Sequence, residues 1–228
     1  MNLKDSEVHP VLDDVYDLRL NPSFLWAPDG QKLAFSTVHS YTLPINLNSL
    51  PRNFQIVDTN SGKVQALLPD DRVRVDFSWS HDSNKLVYLS DPVEISSFQT
   101  IYSTLYIMDI QTQEETLIAE FAAIGSPIWS PVDDMIAFTA STEEELYSIG
   151  QFNVYLIKSD GTDLQRLTND GFFNVGSWSP DGSKLALEYV GEQLTDDEIY
   201  ILDIDSGDLE QITDNNVLDA HPIWVELE

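Results

Sequence analysis

Five tryptophans, the only ones in the chain, each begin a copy of one short pattern. Trp178 to Leu187 reads W-S-P-D-G-S-K-L-A-L, and Trp26 to Phe35 reads W-A-P-D-G-Q-K-L-A-F. Trp79 to Tyr88 reads W-S-H-D-S-N-K-L-V-Y, and Trp129 to Phe138 reads W-S-P-V-D-D-M-I-A-F. A fifth copy begins at Trp224-Val225-Glu226. The spacings are 53, 50, 49 and 46 residues. A near-constant period in this range marks a chain built by stacking one small unit, and that outranks every other reading of fold.

The unit reads as four short strands. In the clearest copy the first strand ends at Trp178 and the turn Ser179-Pro180-Asp181-Gly182 follows. Proline presets the backbone at the second turn position, and glycine suits the fourth. Lys184–Tyr189, Glu198–Ile204 and Leu209–Thr213 supply the second, third and fourth strands, with Asp205-Ser206-Gly207-Asp208 as a tight turn. Third strands of the other copies fall at Phe54–Asp58, Leu105–Ile110 and Asn153–Ser159, and fourth strands at Val64–Leu68, Glu115–Ala119 and Leu164–Thr168. Ser80-His81-Asp82-Ser83 lacks proline and glycine, and Pro131-Val132-Asp133-Asp134 lacks glycine, so these two turns are expected to be looser. Four antiparallel strands per period, without long helices, predict an all-β chain: a small β-propeller with four complete four-stranded blades plus a rudimentary fifth. The expected organisation is a single domain over residues 1–228. Its repeats lie near 24–68, 77–119, 127–168 and 176–213, with a partial copy at 221–226. Residues 8–16 offer a closing outer strand, because Val11 to Tyr16 precedes Trp26 as other fourth strands precede their tryptophans.

The pattern W-S-P-D-G-x-K-L-A-F followed by I-Y-x-x-D-x-x-G-x-x-x-x-L-T resembles the β-propeller repeat of the TolB family. The same repeat occurs in tricorn-type and prolyl-oligopeptidase-type propellers. Ile157 to Thr168 is an especially close copy, and the resemblance covers residues 24 to 226. It implies the fold and leaves function open, because one fold hosts many functions.

Charge narrows the partners. The chain has 228 residues, with 39 acidic against 11 basic residues and a net charge of −28. Such a surface repels nucleic-acid phosphates and anionic membranes, so a basic or amphipathic protein or peptide is the expected partner. There is no cysteine, and no 18-residue apolar run, so neither thiolate chemistry nor a membrane-spanning helix is expected. No secretory signal follows Met1. Cytoplasmic location is expected, with a periplasmic one as the alternative if a signal has been removed.

Few motifs carry chemistry. There is no G-x-S-x-G elbow, no glycine-rich phosphate loop and no H-x-x-x-H spacing among His9, His39, His81 and His221. No enzyme activity, metal site or cofactor is expected. The acidic clusters Asp13-Asp14, Asp70-Asp71 and Asp133-Asp134 read as solvated charge. Trp26, Trp79, Trp129, Trp178 and Trp224 read as structural, each ring filling the wedge between neighbouring units.

The loops between second and third strands are the variable feature, and loops on a rigid scaffold are where binding resides. His39–Asn53 brings Tyr41, Leu43 and Ile45, and Asp91–Ser103 brings Phe98 and Tyr102. Glu143, Glu144, Glu145, Asp196 and Asp197 would form an acidic rim on the same face. The leading expectation is a non-enzymatic scaffold that binds a protein or peptide there. Two alternatives stay open: an accessory propeller serving a hydrolase or lyase, and an arc that self-associates through open blade edges.

Overall fold

In the computed structural model the described residues are 24–38, 52–68, 72–96, 99–149, 151–169, 171–191 and 197–225. Residues 8–16 lie outside them. The first unit is a sheet of β1 (Phe24–Trp26), β2 (Lys32–Val38), β3 (Arg52–Asp58) and β4 (Val64–Leu67). The last is a sheet of β12 (Phe173–Trp178), β13 (Lys184–Tyr189), β14 (Glu198–Asp203) and β15 (Leu209–Gln211). Between them lies one seven-stranded sheet: β5 (Arg74–Trp79), β6 (Lys85–Ser96), β7 (Gln99–Asp109), β8 (Glu115–Trp129), β9 (Met135–Ser141), β10 (Asn153–Lys158) and β11 (Gln165–Arg166). All strand neighbours are antiparallel.

The seven-stranded sheet is two units fused. β8 pairs with β7 over Glu115–Ile124 and with β9 over Ala123–Trp129, so one strand closes the second unit and opens the third. The expected fourth strand at Glu115–Ala119 is therefore the first part of a 15-residue strand. The expected loop Asp91–Ser103 is likewise mostly ladder: Pro92 pairs with Tyr102, Val93 with Ile101 and Glu94 with Thr100. Valine, isoleucine and threonine favour a pleated hairpin over a coil.

Three apolar clusters join the units. Phe54, Ile56 and Leu67 of the first unit pack on Phe77, Trp79, Leu86 and Tyr88 of the second. Val87, Leu89 and Ile107 pack on Trp129, Ile136, Phe138 and Tyr155 of the third. Ala137, Val154 and Leu156 pack on Val175, Trp178, Leu185 and Leu187 of the fourth. Along β6, Leu86 and Tyr88 therefore face one neighbour while Val87 and Leu89 face the other. A strand buried on both faces needs an unbroken apolar run, which is why K-L-V-Y-L does not alternate with polar residues.

Turn chemistry recurs with its substitutions absorbed. Gly30, Ser83 and Gly182 donate their N–H to Ala27, Ser80 and Ser179 carbonyls at 2.9 Å each, with φ of 68°, 62° and 72°. Ser83 takes the glycine conformation, so this turn is as tight as the others. Its hydroxyl also accepts the Asp29 N–H of the neighbouring unit at 3.0 Å. The aspartate of each such turn accepts the N–H two residues on: Asp29 from Gln31 at 2.8 Å, Asp82 from Asn84 at 3.1 Å, Asp181 from Ser183 at 3.1 Å. In the third unit Val132 stands where that aspartate would be, and Asp133 accepts the Met135 N–H at 3.1 Å instead.

The tryptophans divide. Trp79, Trp129 and Trp178 are buried at the junctions, whereas Trp26 is 55% exposed together with Phe24 and Leu25. The expectation that every ring fills a wedge fails at Trp26, because no described unit packs against that face. The tryptophan contacts alternate along the chain. Trp79 and Trp178 donate indole N–H to the carbonyls of Leu25 and Ile128, at 2.9 and 3.3 Å. Trp129 and Trp224 instead donate backbone N–H to the hydroxyls of Ser78 and Ser177, both at 3.1 Å. Residues 221–225 form no strand, so the expected inner strand of a fifth blade is absent as a strand. Trp224 nonetheless takes the place against Ser177 that Trp129 takes against Ser78, and Pro222 passes so close that a Cβ on Gly176 would lie 2.7 Å from its ring.

Two outcomes follow. Trp178→Ala should cost about 3–5 kcal/mol in chemical denaturation, as for other large core truncations, and Trp26→Ala only a small fraction of that. Asp181, held by the Ser179 hydroxyl and the Ser183 N–H, titrates at about 2 instead of 3.8. A depressed carboxyl stabilises the fold above its unfolded pKa and loses that contribution as pH falls. The thermal midpoint should therefore fall between about pH 4 and pH 2, and Asp181→Asn should flatten that fall.

Candidate partner-binding face

The two ends of the strands differ in their basic residues. Lys32, Lys85 and Lys184 open β2, β6 and β13, Lys63 lies in the β3–β4 turn, and Lys158 ends β10. All five described lysines thus stand at the end that carries the tryptophan turns. The other end carries the connections from second to third strand and from unit to unit. No lysine lies there among the described residues, and the arginines there whose side chains are described are engaged. Arg166 Nη1 is 2.6 Å from Glu145 Oε1. Arg72 and Arg74 each reach Glu115 at 3.1 Å. Arg74 is wholly buried, and the Arg72 guanidinium stacks 4.7 Å from the Tyr106 ring centre. The Tyr88 hydroxyl donates to Glu115, and burial, reinforced by that carboxylate, pushes its pKa far up.

The connection of the third unit is the best-defined element of this face. Thr142 precedes a short helical turn whose π-helical part is Glu145–Ile149. The Thr142 hydroxyl accepts the Glu145 N–H at 3.3 Å, and the Glu145 carboxylate accepts the Thr142 N–H at 2.8 Å. This reciprocal pair is a capping box, encoded by T-E-E-E. Glu145 is buried, and Asn153 Nδ2 donates to it at 3.4 Å. Burial opposes its charged form, but the Thr142 donors and Arg166 outweigh that and lower its pKa. Glu145 is thus the anchor of the turn, not part of an acidic rim. Glu143 and Glu144 remain exposed, and Tyr147 is 69% exposed.

The other expected residues are distributed as follows. Tyr41, Leu43, Ile45, Phe98 and Asp196 lie outside the described residues. Tyr102 belongs to β7 and packs half-buried against the core of the second and third units. Asp197 accepts the Gly191 N–H at 3.1 Å through its side chain and the Asp219 N–H at 3.0 Å through its carbonyl. That second bond ties residues 214–221 to the same face, where Val217 and Leu218 are exposed. Tyr147, Val217 and Leu218 were missed in sequence because nothing in their local pattern separates an exposed apolar residue from a buried one. The capping box was the available signal for the turn.

His81 sits in its tryptophan turn. The backbone N–H of His221, at the other end, is 3.1 Å from Glu188 Oε2. His9 and His39 lie outside the described residues. Among the described residues no three histidine, aspartate or glutamate side chains cluster as metal ligands, and no helix is long and apolar enough to cross a membrane.

A family model of the TolB beta propeller domain matches residues 29–225. Solved structures share the fold. TolB from Acinetobacter baumannii superposes with a TM-score of 0.61 at 19% identity, covering 84% of this chain and 43% of that one. An oligogalacturonate lyase in complex with manganese gives 0.60 at 22%, covering 83% and 52%. The β-propeller domain of the Trilobed protease from Pyrococcus furiosus, described as having an open velcro topology, gives 0.57 at 19%, covering 84% and 58%. The chain spans about half the length of these relatives.

Removing the cation that holds the helical turn should be measurable. Arg166→Ala leaves the buried Glu145 carboxylate without its ion pair and should cost about 1–3 kcal/mol in chemical denaturation.

Proposed function

The chain belongs to the TolB β-propeller domain family, and from that premise we propose that it is a non-enzymatic scaffold binding a basic or amphipathic protein or peptide segment at the connection end of its strands. The observation that supports this reading is the exposure of Tyr147 in the same turn as the exposed Glu143 and Glu144, at the end where no described lysine lies. An exposed aromatic in one turn with carboxylates that have no cation partner among the described residues suits a segment that brings a cation and an apolar side chain together. Apolar anchors carry affinity, and peripheral charges steer encounter.

A panel of lysine-rich amphipathic peptides, titrated by biolayer interferometry, tests the reading. Association should slow as salt rises, because the Debye length shrinks. Replacing Glu143 and Glu144 by glutamine should slow association and flatten its salt dependence. Tyr147→Ala should mainly speed dissociation. Binding unchanged by both sets of variants, or lost on changing His81 and Asp181 instead, would place the site elsewhere. The reading includes no catalytic turnover, and reproducible hydrolysis or lysis within a peptide and oligosaccharide panel would replace it by an enzymatic one.

A second reading, self-association, rests on the exposure of Phe24, Leu25 and Trp26, whose counterpart Trp79 is buried by a neighbouring unit. It requires a solution mass that is a multiple of 25.7 kDa and that returns to the single value on Trp26→Arg.

A further inference from the structure

At the turn end, where the first unit meets the second, a half-open cavity of about 240 Å³ lies between the face of β3–β4 and the end of β7. Its floor is apolar, from Ile56 and Ile110, and its rim is charged and polar, from Lys32, Lys63, Asp58 and Gln65. The volume is smaller than that of drug-sized ligand sites.

The repeat itself shows that this rim is not demanded by the fold. Lys63 occupies the place held by Glu114 in the second unit and Asp208 in the fourth. In all three, the carbonyl of that residue accepts the N–H of the aspartate that ends the third strand, at 3.0 Å for Asp58, 3.1 Å for Asp109 and 2.9 Å for Asp203. The bond uses only the backbone of this residue, whose side chain is acidic in the second and fourth units; in the shorter turn of the third unit the accepting carbonyl is that of Thr162. The first unit alone carries a base there, in a chain of net charge −28. The Lys63 ammonium has no partner among the described residues. The Lys32 ammonium is shared between Asp29 Oδ2 at 3.0 Å and the Ser83 carbonyl at 3.5 Å.

Asp58 adds the opposite charge. Its Oδ1 accepts from the Asn60 N–H at 3.1 Å, the Ser61 N–H at 2.7 Å and the Ser61 hydroxyl at 2.8 Å. These bonds, that of the Ser61 N–H foremost, hold the carboxyl below its usual range, so it stays ionised. Oδ2 takes part in none of them. The cavity is therefore lined by two lysines and one ionised aspartate together with two isoleucines.

We propose that this cavity binds a free aliphatic α-amino acid. Its carboxylate would meet Lys63 and Lys32, its ammonium would meet Asp58 Oδ2, and its side chain would lie on Ile56 and Ile110. The pairing of both ligand charges selects against simple carboxylates and simple amines. The site lies at the opposite end of the strands from the partner-binding face, so either assignment can fail without the other.

Leucine is the probe. Titrated into the isotopically labelled chain, it should give saturable shifts at the Ser61, Gln65 and Ile110 amides. Leucinamide, which lacks the carboxylate, and isocaproate, which lacks the amine, should shift them at least tenfold less at equal concentration. Lys63→Glu installs the residue type of the equivalent positions, so the thermal midpoint should stay within a degree or two while the leucine shifts drop at least tenfold. The proposal is overturned if leucine gives no saturable shift at these amides. It is equally overturned if leucinamide or isocaproate matches leucine, or if Lys63→Glu titrates as the parent does.

Discussion

Everything in this chain depends on the packing of one strand quartet face to face against the next. No quartet has a core of its own: the three apolar clusters each draw on two neighbouring units. Burying a single large aliphatic side chain is worth about 1.5–3 kcal/mol, and each junction buries several from both sides. A unit taken alone would expose one or both of its faces, so stability resides in the junctions. Trp26 shows the converse, since the same residue type that is buried at Trp79 is exposed where no described neighbour covers it.

Polar contacts set the register of those apolar faces. The alternation of serine and aliphatic residues before the tryptophans changes which group bridges a junction. Ser78 and Ser177 offer a hydroxyl to the next backbone N–H, while Leu25 and Ile128 leave their carbonyl to the next indole. Either way a polar group at the junction gains a partner, as a group removed from water must. Much of the negative charge is similarly fixed in place. Asp29, Asp58, Asp109, Asp181 and Asp203 all have lowered pKa, with turn N–H groups or hydroxyls as the largest cause. A carboxylate held this way contributes to the turn as well as to the net charge.

The repeat period and the strand-turn-strand pattern made the fold class legible, because the period, the turns and the apolar runs all point to the same unit. Two departures arose from context. Nothing in Glu115–Ala119 tells a strand that stops from one that continues into the next unit, since both carry an apolar run. The structure continues it because Ile124 finds Tyr102 on one side and Ala140 on the other. The turn Ser80–Ser83 is expected to be loose because it lacks proline and glycine, yet Ser83 takes the positive φ that glycine takes elsewhere. Its hydroxyl receives a hydrogen bond from the neighbouring unit, which a local reading of the turn cannot contain. Of the candidate site, the acidic character was legible but the division of labour was not. Glu143, Glu144 and Glu145 are identical in type and adjacent, and only the capping box with Thr142 and the approach of Arg166 make one of them a buried anchor.

The two ends of the strands share one construction and diverge in what they leave exposed. At the turn end Asp29, Asp58, Asp109, Asp181 and Asp203 are each answered within their own hairpin, and Lys32 and Lys158 pair with Asp29 and Asp163. At the connection end, buried charges are ion-paired, as Arg74 with Glu115 and Arg166 with Glu145, or hydrogen-bonded, as Glu198 by the Thr213 hydroxyl and the Asn215 N–H, because a buried charge without such partners would be costly. Exposed carboxylates there, such as Glu143 and Glu144, keep their water and need no such partner. Repetition fixes the scaffold, and function is left to the positions where the copies are allowed to differ.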